Sequence, residues 1–191
     1  MVLIIALFVL FMIGMDFYVL RGIEYLFSPR IEGNPLFYFI YWGVTLLMLL
    51  ALIATGSRFQ QLRDPSQFFG VMLIMGIFLM LYVPKLLFNA TQLIGDLASL
   101  VSALFHSDAG SLKKWFLLPG LLLGLLTFVS FGMGMVRGRT NLKVFRETIK
   151  IKSLPESFDG LRIVQLSDIH LAGFYRHPGY IRKVVSRVNE L

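Results

Sequence analysis

The sequence predicts a membrane α-helical protein: four transmembrane helices followed by the start of an α/β sandwich in the order strand, strand, helix. Three observations predict it. The 191 residues are 57% hydrophobic and only 15% charged, with a mean hydropathy of +0.74, a composition of membrane proteins. Four apolar runs each reach the roughly 20 residues that a helix needs to cross a bilayer. Beyond them the composition shifts. From Arg137 onward there are 11 Lys or Arg against 5 Asp or Glu, net +6, whereas the first 136 residues hold 7 against 6, net +1.

The first span covers Val2 to Leu20. It lacks the basic leader and the small-x-small cleavage site of a signal peptide and is therefore kept as a span. Asp16 lies inside it, where an ionisable group marks a functional candidate by default. Its nearness to Arg21 predicts an interfacial placement in which the two pair or snorkel. Leu36 to Thr55 forms the second span and Phe68 to Phe88 the third. Pro84 and Lys85 stand near the end of the third, which predicts a kink with Lys85 reaching the headgroups.

Next, Leu93, Ile94, Leu97, Leu100, Val101 and Leu104 recur at helical spacing against Thr91, Gln92, Asp96 and Ser99. This predicts an amphipathic helix near residues 89–105, lying in the interface or continuing the span. His106 beside it reads as an interfacial residue. The fourth span, Phe116 to Val136, carries Gly120 and Gly124, a small-xxx-small pair that permits close helix contact. The spans show no regular charge series, filter-like loop or internal repeat, which argues against a channel or transporter.

The tail starts a second unit, so the domains are expected at residues 1–136 and 137–191. In KVFRETIKIK, Lys143 to Lys152, the apolar Phe145, Ile149 and Ile151 alternate with charged residues, as on a half-exposed strand. Leu154-Pro155 stops it, and Ser157 to Gly160 makes a loop. Leu161, Ile163, Val164 and Leu166 then form a short apolar run, β-branched at Ile163 and Val164, that suits a buried strand. At its end stand Asp168 and His170. Residues two apart on a strand project to one side, so this carboxylate and this imidazole can converge on one ion. An oxygen and a nitrogen donor suit Mn, Fe, Zn or Co better than Ca. By spacing alone, a strand-end Asp also serves as a cap for the next turn. Arg176 is six residues past His170, within reach of a substrate phosphate or simply exposed, and His177 reads as a surface residue. Pro178 is placed to open a helix with Ile181, Val184, Val185, Val188 and Leu191 on one face and Arg182, Lys183 and Arg187 on the other.

Pro155 to Leu171, PESFDGLRIVQLSDIHL, resembles the opening of the calcineurin-like metallophosphoesterase family, especially its membrane-associated bacterial branch. The resemblance covers about Leu142 to Leu191. It implies that Asp168 and His170 are ligands to one metal of a two-metal centre built from divalent Mn, Fe, Zn or Co. The implied activity is hydrolysis of phosphomonoester, phosphodiester or pyrophosphate bonds, with lipid-linked phosphoesters suggested by an active site tethered beside a bilayer. The family's later motifs, Gly-Asp-x-x-Asp, Gly-Asn-His and Gly-His-x-His, do not occur in these 191 residues. The chain is therefore expected to be the N-terminal portion of such an enzyme, inactive alone and binding metal weakly. The competing class is a non-catalytic membrane anchor or assembly protein with a short basic tail.

No cysteine is present, which excludes a disulfide framework and a thiolate metal site. No nucleic-acid fold accompanies the net charge of +7, so the expected partner is the lipid bilayer and not nucleic acid. With four spans both termini share one side. That side holds Arg58, Arg63, Arg137, Arg139, Lys143 and Arg146, against Arg21, Arg30, Lys113 and Lys114 on the other, which favours a cytoplasmic C-terminal segment. A reporter fused after Leu191 should be active only in its cytoplasmic form, and alkaline carbonate should leave the chain in the membrane pellet. Activity of a periplasmic or extracellular reporter would reverse the orientation, and release by carbonate would remove the spans.

Overall fold

In bilayer hydrocarbon every backbone N–H and C=O must be paired within the protein, so long apolar runs fold as helices. The computed structural model describes residues 2–57, 65–105, 109–137, 142–151, 153, 155–167 and 178–191. Its four long helices are α1 (Val2–Phe27), α2 (Pro35–Ser57), α3 (Pro65–Leu104) and α4 (Ala109–Arg137). All four are long and apolar enough to cross a membrane. The α1–α2 turn is set locally. Gly33 takes a positive φ of 77°, Asn34 caps α2 by accepting from the N–H groups of Leu36 (3.1 Å) and Phe37 (3.3 Å), and Pro35 opens the helix with its fixed φ.

The bundle is apolar outside and partly polar inside. Leu36, Phe39, Leu47, Leu100, Trp115 and Leu122 are exposed, as lipid-facing residues are, while Asp16, Thr45, Asn89 and Gln92 are buried. Two small apolar clusters accompany these polar groups. One joins Met12 and Met15 of α1 to Met48 of α2 and Tyr82 of α3. The other joins Val19, Phe88 and Leu117 of α1, α3 and α4.

Helices α3 and α4 form a closely packed hairpin, and small residues make it possible. A Cβ at Gly120 would strike Thr91 Oγ1, and one at Gly124 would come within 3.3 Å of the Pro84 carbonyl oxygen. The pair thus has the packing role that its spacing permits. The same hairpin sets Gly95 against Phe116 and Gly76 against Met135.

Residues 89–104 continue the third span, one of the two placements their spacing allows, so that α3 runs 40 residues through Leu104. Pro84 therefore sits mid-helix, and Lys85 is far from either end. The amphipathic stretch that follows continues the same helix, with its polarity reversed relative to a surface helix. Leu93, Ile94, Leu97, Leu100 and Val101 are exposed, whereas Asn89 and Gln92 turn into the bundle. In a bilayer the polar face is the one to shelter.

Beyond α4, the strands expected at 143–152 and 161–166 form no ladder among the described residues, which leave out 152. A strand is defined by a neighbour that takes up its N–H and C=O groups, and none is described here. Phe145, Ile149 and Ile163 are correspondingly exposed. Between them lies one turn of 3-10 helix, Glu156–Phe158, followed by a positive φ of 77° at Gly160. The final helix, α5 (Pro178–Asn189), opens at Pro178 as its sequence predicts. Arg162 Nη1 donates to the Leu191 carbonyl oxygen at 2.9 Å, which ties the end of α5 to the segment that leads to Asp168.

The close α3–α4 approach gives a clear expectation. Gly120→Leu should destabilise the bundle in detergent by about 1–3 kcal/mol, the range for forced overpacking. Gly134→Leu should be nearly neutral, because no atom lies within 4 Å of the Cβ position there. Comparison of the two thermal unfolding curves checks this, and equal curves would mean that the small residues do not set the hairpin.

Candidate functional site

Two sets of residues are candidates for functional chemistry. The first is the predicted metal pair, Asp168 and His170, which lies outside the described residues, as do His106, Arg176 and His177. Among the described residues no group of three His, Cys, Asp or Glu side chains gathers as metal ligands would. The chain leading to the pair, Leu161 to Ser167, is exposed along its length.

The second set is a polar seam between α1, α2 and α3. Its stripe on α3 is Tyr82, Lys85, Asn89, Gln92 and Asp96, spaced by three and four residues so that all five share one helix face. Asp16 of α1 is the deepest group, with no exposed surface. Lys85 Nζ lies 2.6 Å from its Oδ1. The hydroxyls of Thr45 and Tyr82 donate to its Oδ2 at 2.6 and 3.0 Å. Tyr41 OH donates to its backbone carbonyl at 2.7 Å. The Lys85 ammonium also stands 4.5 Å from the Tyr82 ring centroid and 5.5 Å from that of Tyr41, close enough for cation–π attraction.

Further along, side-chain amides bond to the α1 backbone. Asn89 Nδ2 donates to the Met15 carbonyl at 3.0 Å and Gln92 Nε2 to that of Tyr18 at 3.1 Å. The amide oxygens Asn89 Oδ1 and Gln92 Oε1 are buried without a conventional donor. Gln92 Oε1 faces Gly22, whose missing side chain leaves room for it. That approach is of the Cα–H···O kind, a weak substitute for a full hydrogen bond. At the end of the seam, Asp96 Oδ2 accepts from Tyr18 OH at 2.7 Å and its Oδ1 pairs with Lys113 Nζ of α4 at 2.6 Å. Lys113 lies 5.1 Å from the Tyr25 ring centroid.

The expected partners of Asp16 and Lys85 were therefore wrong. Arg21 follows Asp16 by five residues, which turns it about 140° around the helix, so the two cannot share a face. Arg21 instead stacks over the Phe17 ring at 5.3 Å. Lys85 does not snorkel to the headgroups, because a carboxylate waits opposite it in a medium where an unpaired charge is costly. The signal for this seam was present in the α3 spacing of three and four. Nothing local to Asp16 reveals a partner 69 residues away.

Comparison with known proteins agrees with this architecture. The family described as "probable calcineurin-like phosphoesterase, transmembrane domain" matches residues 1–139. A transmembrane protein with metallophosphoesterase domain from Danio rerio is 42% identical over 67 residues, which amount to 35% of this chain and 15% of that protein. The chain thus matches only a small part of that curated relative. No solved structure matches the chain. Since the match takes in all four helices and most of the sequence, the chain is an integral membrane protein that belongs to the calcineurin-like phosphoesterase transmembrane-domain family.

Proposed function

We propose that this chain is the membrane anchor and the opening of a metal-dependent phosphoesterase, with residues 1–136 as the anchor and 137–191 as the first part of the catalytic domain. The observation that carries the reading is the order of its parts. A transmembrane region matched over residues 1–139 by a phosphoesterase family is followed, about 20 residues later, by the apolar run Leu161 to Leu166 that leads to Asp168 and His170. The metallophosphoesterase domain in the relative's name supports the same order.

In this reading Leu161 to Leu166 become a strand when a neighbouring strand supplies the missing ladder, and α5 covers one face of the sheet. The Arg162 bond to Leu191 supports that placement, since it already holds the run beside the helix. Asp168 and His170 would hold divalent metal. Their oxygen and nitrogen donors fit Mn, Fe, Zn or Co, the ions that accept mixed ligand sets. Such ions supply Lewis-acid activation of water and neutralise charge on phosphoryl oxygens. The Asp168 carboxylate and the His170 imidazole would hold one metal of the two-metal centre, while Arg176 stands close enough in sequence to attract a substrate phosphate. The substrate class is a phosphoester, and tethering beside the bilayer favours one carried on a lipid. The basic residues after α4, Arg137, Arg139, Lys143 and Arg146, favour a cytoplasmic position for this part.

In the native protein taken from its membrane, Asp168→Ala or His170→Ala should lower Mn-dependent hydrolysis of an aryl phosphodiester by at least about 100-fold. Losing an outer-sphere partner of a metal site already costs about 10–100-fold. Both variants should also hold less Mn by elemental analysis while remaining carbonate-resistant in the membrane. Near-wild-type turnover and metal content in either variant would take the metal role from that residue.

A further inference from the structure

Helix α2 joins the bundle differently from the others. It buries the smallest share of its span, 11% against 28% for α1. In a bilayer, moving an apolar side chain from lipid to protein brings little gain, so packing and interhelical hydrogen bonds decide whether such a helix docks. The hydrogen-bonding side chains of α2 are concentrated on one stripe, Tyr38, Tyr41 and Thr45, at successive spacings of three and four residues. Each hydroxyl donates to α1. Tyr38 OH meets Glu24 Oε1 at 2.7 Å, Tyr41 OH the Asp16 carbonyl at 2.7 Å, and Thr45 Oγ1 the Asp16 carboxylate at 2.6 Å. Below this stripe Met48 packs with Met12 and Tyr82, which adds contact but no direction. By contrast, α3 and α4 are joined through backbone-close contacts at Gly120 and Gly124 that involve neither Asp16 nor α2.

We propose that α2 is a separable helix held by a latch, and that the latch is the acceptor side of Asp16. One carboxylate oxygen faces Lys85 and fixes α1 to α3. The other accepts from Thr45 of α2 and from Tyr82 of α3 and so joins α2 to the same carboxylate, beside the Tyr38 and Tyr41 bonds that do not use it. Release of α2 would uncover the Asp16–Lys85 pair toward lipid. The roles of charge and of acceptor are separable by substitution. Asp16→Asn with Lys85→Met removes both charges but keeps an amide oxygen for the hydroxyls. Asp16→Leu with Lys85→Met removes the charges and the acceptor together. Neither double variant buries a lone charge, so both should insert.

The chain has no cysteine, so spin labels can be placed without background. One label pair would report α2 against α4, at Leu47→Cys and Leu126→Cys, both exposed positions. A reference pair would report α3 against α4, at Leu100→Cys and Leu126→Cys, also exposed. Pulsed electron–electron distance measurement in lipid nanodiscs should give one α2–α4 distance in the parent and in the Asp16→Asn/Lys85→Met variant. In the Asp16→Leu/Lys85→Met variant the population at other α2–α4 distances should rise at least about twofold to threefold, the scale of the one average interhelical hydrogen bond that α2 loses with the Thr45 acceptor. The α3–α4 distance should stay the same in all three. Equal α2–α4 distributions in the two double variants would overturn the latch. A shift of the α3–α4 distance together with the α2–α4 distance would overturn the separability of α2.

Discussion

A carboxylate buried in hydrocarbon must be neutralised and hydrogen-bonded, and the bundle is arranged to meet that demand at Asp16. Water is not there to solvate it, and the α1 side chains on either side offer no cation on the same face. The required groups come from other helices: the Lys85 ammonium and the Tyr82 hydroxyl from α3, the Thr45 hydroxyl from α2. Removing one member of such a buried pair typically costs about 3–5 kcal/mol because the other charge is left stranded. A requirement of that size specifies which helices are neighbours and at what rotation. Generic apolar contact cannot do this, since Leu against Leu and Leu against a lipid tail are nearly equivalent.

Two kinds of attachment therefore coexist. The α3–α4 hairpin relies on absent side chains, with Gly120 and Gly124 letting the backbones close on Thr91 and Pro84. Helix α1 relies on present polar ones, and its contacts with α3 run from Asp16 through the amides of Asn89 and Gln92 to the Tyr18–Asp96 bond. The second ion pair, Asp96 with Lys113, then joins this seam to α4 at a half-buried site. Because the seam uses both members of each pair, the charge of buried Asp16 is matched by Lys85 and that of half-buried Asp96 by Lys113.

The four spans were legible because length and apolar content suffice to identify a membrane helix. The end of α3 was not, because Thr91, Gln92 and Asp96 lower its average hydropathy in the way an interfacial segment would. Only the arrangement of the bundle decides whether a polar face meets water or other helices. The proximity of Asp16 to Arg21 in sequence was misleading for the reason that five residues turn the helix to a different face. The tail divides similarly. Pro178 as a helix start follows from local stereochemistry, and α5 begins there. The strands at 143–152 and 161–166 depend on partners that periodicity cannot supply. Asp168 and His170 rest on the resemblance of the tail, and the transmembrane-domain family matched over residues 1–139 does not reach them.

The length of α3 has a consequence for the membrane itself. Its candidate span of 36 residues, with Lys85, Asn89, Gln92 and Asp96 on one face, rises about 54 Å, whereas bilayer hydrocarbon is about 30 Å thick and helices rarely tilt beyond about 40°. Even at that tilt roughly 10 Å of helix stands outside the hydrocarbon of an average bilayer. Such hydrophobic mismatch is relieved in a thicker, sterol- or sphingolipid-rich membrane and aggravated in a thin one. Bilayer thickness thus becomes a physical variable in how α3 sits in its membrane, independent of any chemistry of the tail.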